Sequence, residues 1–215
     1  MRKPGYGDLQ ARRASRQGAR VELGFGASSD LARQIRDGAP ADVFVSASPE
    51  WTDFLREAGV VVGEPVLIAR NALVCVAPQD GRLNATAVAD PRVLVAKIAA
   101  DDLVAIADAG VPAGEYARQA LAKPGLAAGF EPRLVGQKDV RAVLHAVEQG
   151  EVAAGFVYAT DAKAARVATL FAFDPTTHPP IEYHAVVVRN ADRPSDAATA
   201  SHFVDFLTSG SGRAR

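Results

Sequence analysis

Three short stretches combine small residues, hydroxyls and helix-start signals in a way that suits anion binding. Gly26-Ala-Ser-Ser-Asp30 follows a β-rich run and opens a segment of helical period. The first N–H groups of a helix have no acceptor inside it and carry the positive end of its dipole, so small residues there let an anion reach the backbone. Ser28 or Ser29 can cap this helix, which leaves the other hydroxyl to donate elsewhere. Val111-Pro-Ala-Gly-Glu115 repeats the arrangement, with Pro112 suited to a first helical turn and the N–H groups of Ala113 and Gly114 unobstructed. Asp139 is a good N-cap and leaves the N–H of Val140 free in the first turn. Each turn by itself also reads as an ordinary capped helix start; together the three are able to converge on one anion. Other chemistry finds no support. The chain has no G-x-G-x-x-G, P-loop, H-E-x-x-H or G-x-S-x-G pattern, and Asp101-Asp102 falls in a turn. His145, His178, His184 and His202 are scattered, with no partner at metal-ligand spacing, and no catalytic triad is legible.

The elements that must position these turns alternate. Strands are expected over residues 21–25, 42–47, 72–77, 103–107, 154–158, 167–173 and 181–188, where β-branched and apolar residues cluster. Helices are expected over 29–37, 50–58, 91–100, 115–122, 139–149 and 199–207. In the second of these Trp51, Phe54, Leu55 and Ala58 fall on one stripe; in the last, Ala200, Phe203, Val204 and Leu207 do. Strand–helix alternation predicts an α/β protein with mostly parallel sheets covered by helices.

Composition narrows the function classes. The chain has 215 residues, 24 Lys+Arg against 25 Asp+Glu, a net charge of −1, and 48% hydrophobic residues. That length buries a real core as one large domain or two small ones. Balanced charge argues against neutralising a nucleic-acid duplex, and the single cysteine, Cys75, excludes a disulfide scaffold or a multi-cysteine zinc site. The apolar runs are too short to span a membrane. The first twenty residues differ from the rest, with six Lys or Arg and one acid, Asp8. They carry no apolar core of a signal peptide, and read as a divergent, disordered leader over residues 1–19 in preference to a basic arm for nucleic acid or membrane.

The stretch Gly26-Ala-Ser-Ser-Asp-Leu-Ala-Arg-Gln-Ile-Arg-Asp-Gly-Ala-Pro-Ala-Asp-Val-Phe-Val-Ser-Ala47, followed by Trp51, closely resembles the periplasmic molybdate-binding proteins of ABC importers. So do Arg70-Asn-Ala-Leu-Val, Val111-Pro-Ala-Gly-Glu-Tyr-Ala, Asp139-Val-Arg-Ala-Val-Leu, Gly155-Phe-Val-Tyr-Ala-Thr-Asp-Ala162 and His178-Pro-Pro-Ile-Glu-Tyr. The blocks match in order from about Arg20 to Leu207. The resemblance implies a two-lobed periplasmic-binding-protein fold, each lobe a mostly parallel sheet flanked by helices. Lobe one is then 20–72 plus 188–215 and lobe two 73–187, with crossings near 72–77 and 183–188. It implies a monomeric, non-enzymatic receptor that holds molybdate or tungstate and delivers it to a membrane permease, with no cofactor, no catalytic residue and no nucleic-acid partner. Its oxyanion ligands would be the hydroxyl of Ser28, the main-chain N–H groups of Ala113 and Val140, and the hydroxyl of Tyr158; the molybdenum is held only as its oxyanion. Arg33 and Arg141 are expected to be solvated or to pack between lobes, and Ser29 to cap its helix. The alternatives are an oxyanion-sensing domain of a transcriptional regulator and, further off, a phosphate-handling enzyme.

The sequence departs from the family at three places. Residues 1–20 show neither the family's first strand nor its Ala-Ala-Ser turn, whose serine is another ligand, and Ser15 is no substitute. Ala107-Asp-Ala109 stands where Gly-Asp-Pro is common, and the chain closes on Gly-Ser-Gly-Arg-Ala-Arg215. These departures lead to the expectation of a truncated, frame-shifted or decayed copy with impaired binding. Localisation is expected to be periplasmic by the resemblance; the chain shows no signal peptide, which leaves a cytoplasmic setting as the alternative.

Overall fold

A computed structural model describes residues 21–84, 88–122, 125–189 and 197–209. The leader and the last six residues, on which the expectations about the chain ends rest, lie outside the described residues.

The larger sheet grows from the most apolar runs. Strands β3 (Leu73–Pro78), β4 (Val104–Ala107), β5 (Leu134–Gln137), β6 (Ala154–Tyr158) and β7 (Val167–Ala172) lie in the order β5-β4-β6-β3-β7. Every residue of β4 and β6 is buried, so these strands read as continuous apolar runs, as strands covered on both faces do. Their cover comes from α3 (Pro91–Lys97), α4 (Pro112–Ala122), α5 (Ala127–Phe130) and α6 (Val140–Glu148). Helix α6 buries Val143, Leu144, Ala146 and Val147, a stripe at helical spacing. It sits tightly on β6: a Cβ at Gly155 would come within 2.8 Å of Val147 and 2.9 Å of Val143. Phe130, Phe156 and Phe173 meet edge to face beneath these helices.

The smaller sheet has the order β1-β8-β2, from β1 (Val43–Ser46), β2 (Val61–Asn71) and β8 (Ile181–Val188). Strand β8 serves two cores by its period of two. Val186 and Val188 pack with Phe44, Trp51 and Leu55 under α1 (Ser28–Arg36) and α2 (Pro49–Glu57), whereas Ala185 and Val187 pack with Ala200 and Val204 of α8 (Ala197–Thr208). The chain passes into the larger sheet through Ala72, between β2 and β3, and returns between β7 and β8.

Two expectations about the sheets fail. The sheets are not mostly parallel: β4–β5 and β4–β6 are the parallel ladders among the described residues, and the other four are antiparallel. Parallel pairs form where a helix carries the chain back across one sheet, from β4 through α4 to β5 and through α6 to β6. Strands β3 and β8 enter from the other sheet and run against their neighbours. Residues 21–25 form no strand, although their composition is β-rich; they have no ladder partner among the described residues, and Leu23 and Phe25 are exposed. The structure also adds β2, β5, α5 and a short α7 (Ala159–Lys163), none of which the periodicity disclosed. In β2, Gly63 takes a φ of +75° two residues before Pro65, and the register shift there breaks the alternation that would have announced a strand.

Candidate functional site

One cleft between the two sheets is lined by Ser28, Ala113, Val140 and Tyr158, the four residues singled out as oxyanion ligands. They reach its lining from four separate elements, α1, α4, α6 and β6.

Ser28 opens α1, but neither serine caps it. The N-cap is Ala27, one residue earlier than a capping hydroxyl would need, and the expected capping role of Ser29 is corrected. Ser28 Oγ accepts the Ala47 N–H at 3.1 Å, which ties the helix start to the end of β1 and leaves the hydroxyl proton to donate. Ser29 is buried, and its Oγ has no partner among the described residues.

Ala113 stands in the first turn of α4. The turn before it is fixed by Glu115, whose carboxylate accepts the Gly110 N–H at 2.8 Å, and by Gly110 itself at a φ of +79°. Gly114 allows the helix to press on the end of β4: a Cβ there would overlap the Ala107 carbonyl oxygen and come within 2.7 Å of that of Asp108. Val140 opens α6 behind Asp139, whose carboxylate accepts the Ala142 N–H at 2.8 Å. Among the described residues, the N–H of neither Ala113 nor Val140 meets a backbone or side-chain acceptor.

Tyr158 ends β6 with a 3% exposed side chain, and its hydroxyl, buried, has no hydrogen-bond partner among the described residues. Burial, followed by the neighbouring Tyr183, Tyr116 and Asp161, raises its pKa well above the ordinary phenol value, so it stays a donor. Burial likewise pushes Tyr183 up to about 12 and raises Tyr116. The Asp161 carboxyl, also on the cleft wall, is raised by burial and lowered less by Arg141.

The arginines near the helix starts are turned onto rings. Arg33 lies 4.8 Å over Trp51, and Arg141 of α6 lies 5.7 Å over Phe25. The lining carries charged groups as well, Lys138, Arg141 and Asp161 among them, beside the hydroxyls of Ser28 and Tyr158 and the first turns of α4 and α6, whose N–H dipoles suit an anion. It supplies no cluster of His, Cys, Asp or Glu able to hold a metal ion among the described residues.

A family model described as bacterial extracellular solute-binding protein matches residues 6–215. The molybdate-binding protein ModA of Haemophilus influenzae is 38% identical over 192 residues, 88% of this chain and 73% of that protein. The Escherichia coli protein of the same name is 33% identical over 203 residues, 93% and 77% of the two chains. The chain belongs to the ModA family of extracellular solute-binding proteins. The periplasmic molybdate-binding protein of Azotobacter vinelandii shares its fold, with a TM-score of 0.78 at 23% identity over 92% of this chain and 85% of that one. The α/β fold with two helix-flanked sheets is thus that of the periplasmic binding proteins, and the family is one of solute binders, not enzymes. No helix among the described residues is long and apolar enough to cross a membrane.

Sequence reasoning missed the wall around Tyr158. Asn71, Asp161 and Tyr183 come from the end of β2, α7 and β8, and only the fold shows that they gather around Tyr158, with Tyr116 of α4 nearby. A signal was present in the order of the chain: Tyr158 and Asp161 are three residues apart, and Tyr183 lies in the block that follows His178-Pro-Pro.

Proposed function

We propose that this protein captures molybdate in the cleft, takes tungstate by the same donors, and delivers the oxyanion to the membrane permease of an ABC importer. The proposed ligands are Ser28 Oγ, the N–H groups of Ala113 and Val140, and Tyr158 Oη. One observation carries the reading: a buried tyrosine hydroxyl without a hydrogen-bond partner among the described residues, lining the same cleft as two helix first turns whose N–H groups also lack one there. An unpaired buried donor costs stability, and a bound acceptor removes that cost.

Molybdate near neutral pH is a dianion with no proton of its own. Every group in the proposed set donates, so each meets an oxygen lone pair; an anion that retains a proton would turn a donor toward a donor. One proposed lobe is built on β1, β2 and β8 and the other on β3, β4, β5, β6 and β7, so that β8 as a whole stands on the side of the first lobe, and the crossing at Ala72 allows the two to close on the ligand. The proposed setting is the periplasm and the proposed working form a monomer.

Isothermal titration with molybdate, tungstate, sulfate and phosphate tests this. The expected result is one site per chain for molybdate and tungstate, with phosphate far weaker. Absence of molybdate heat, or phosphate bound as tightly, would refute it.

A further inference from the structure

Asn71 sits where the chain leaves one sheet for the other, since β2 ends at Asn71 and β3 begins at Leu73. Its side chain is almost fully used. Oδ1 accepts the Ala72 N–H at 2.9 Å, and Nδ2 donates to Thr160 Oγ1 at 2.9 Å and to Tyr183 Oη at 3.2 Å. These partners lie on three segments: the crossing itself, helix α7 and strand β8.

All three bear on Tyr158. Thr160 follows it by two residues, and the intervening Ala159 donates its N–H to Ala72 O at 2.9 Å. Tyr158 pairs in register with Leu73, the first residue of β3. The Tyr183 ring meets the Tyr158 ring edge to face, with centroids 6.0 Å apart and planes at 68°. The Tyr158 hydroxyl has no hydrogen-bond partner among the described residues to fix it. Its orientation is therefore set by ring packing and by the segment that carries it, and both are held through Asn71.

We infer that Asn71 and Tyr183 are positioning residues that hold the Tyr158 hydroxyl aimed into the cleft across the inter-sheet crossing. The inference rests on the proposed ligand role of Tyr158. A ring held in place before the anion arrives loses less freedom on binding than a loose one.

Double-mutant cycles test it, with molybdate affinity by calorimetry and ligand-free thermal melting on the same proteins. Asn71→Ala and Tyr183→Phe are each paired with Tyr158→Phe. Alone, Asn71→Ala weakens binding by about tenfold and Tyr183→Phe by about threefold. In the Tyr158→Phe background each changes affinity by less than about twofold, because the group they aim is gone. A merely structural role would leave the losses additive, and additive losses overturn the inference. If Asn71→Ala does not fold, the Tyr183→Phe cycle decides, since it keeps the ring and removes one hydroxyl. If Tyr158→Phe itself leaves affinity unchanged, the ligand role of Tyr158 and this inference both fail. If Tyr158→Phe weakens binding and the cycles are additive, only the positioning role fails.

Discussion

Replacing Tyr158 by Phe should move stability and affinity in opposite directions. In the ligand-free protein the hydroxyl is buried without a partner among the described residues. A donor in that position costs the fold about 1–3 kcal/mol, and phenylalanine removes it while keeping the ring that packs on Tyr183. The substitution leaves only a hydroxyl-sized gap, so the ligand-free protein should melt higher, by roughly 2–4 °C for each kcal/mol recovered in a chain of this size. With an oxyanion bound, the same hydroxyl makes a charge-assisted hydrogen bond worth about 1.5–3 kcal/mol, so the variant should bind molybdate roughly 10- to 150-fold more weakly. Differential scanning calorimetry without ligand and isothermal titration with molybdate read the two effects separately. A lower melting temperature together with unchanged affinity would refute the reasoning, because Tyr158 would then be an ordinary core tyrosine.

Three further outcomes follow from the geometry. Val140→Ala should leave molybdate affinity within about twofold, whereas Val140→Pro, which deletes the N–H at a first-turn position that tolerates proline, should weaken it by at least about tenfold without unfolding the protein; calorimetry on both checks this. Gly114→Ala should lower stability by about 1–3 kcal/mol, because the new Cβ meets backbone oxygens that cannot rotate away, and thermal melting reads it. The Asp161 carboxyl is raised by burial, so the folded protein holds its proton to higher pH than the unfolded chain does. Its contribution to stability is therefore greatest below the ordinary carboxylate pKa and falls as pH rises through the raised one; melting curves across this range should flatten in Asp161→Asn.

Strands β3, β4 and β6 were legible because they are buried almost throughout, whereas β5 of the same sheet, half exposed and four residues long, was not. Residues 154–158 of the larger sheet and 181–188 of the smaller one match β6 and β8 to the residue, and the helical stripes of α2, α6 and α8 fall within two residues of their ends. What escaped notice was structure without a two- or 3.6-residue period. Strand β2 is half exposed and bulged at Gly63, and α7 is a single turn. Residues 21–25 show the opposite error: the composition of a strand is local, but a ladder needs a neighbour. The parallel expectation failed for a related reason, since strand direction depends on which sheet the chain has just left.

The cleft divides along the same line. Helix first turns can be recognised locally, so Ala113 and Val140 could be singled out from Pro112 and Asp139 alone. Tyr158 is reached from the sequence only through the family resemblance: its physical signature is a hydroxyl without a partner among the described residues, which is a property of everything packed around it. The net charge of −1 illustrates the distinction. It argues against binding a polyanion, whose many phosphates call for many cations, but says little about a small oxyanion held by dipoles. The two arginines nearest the helix starts lie over Trp51 and Phe25. Charge counted along a sequence therefore says little about such a site, because its proposed donors are backbone and hydroxyl groups that carry no formal charge.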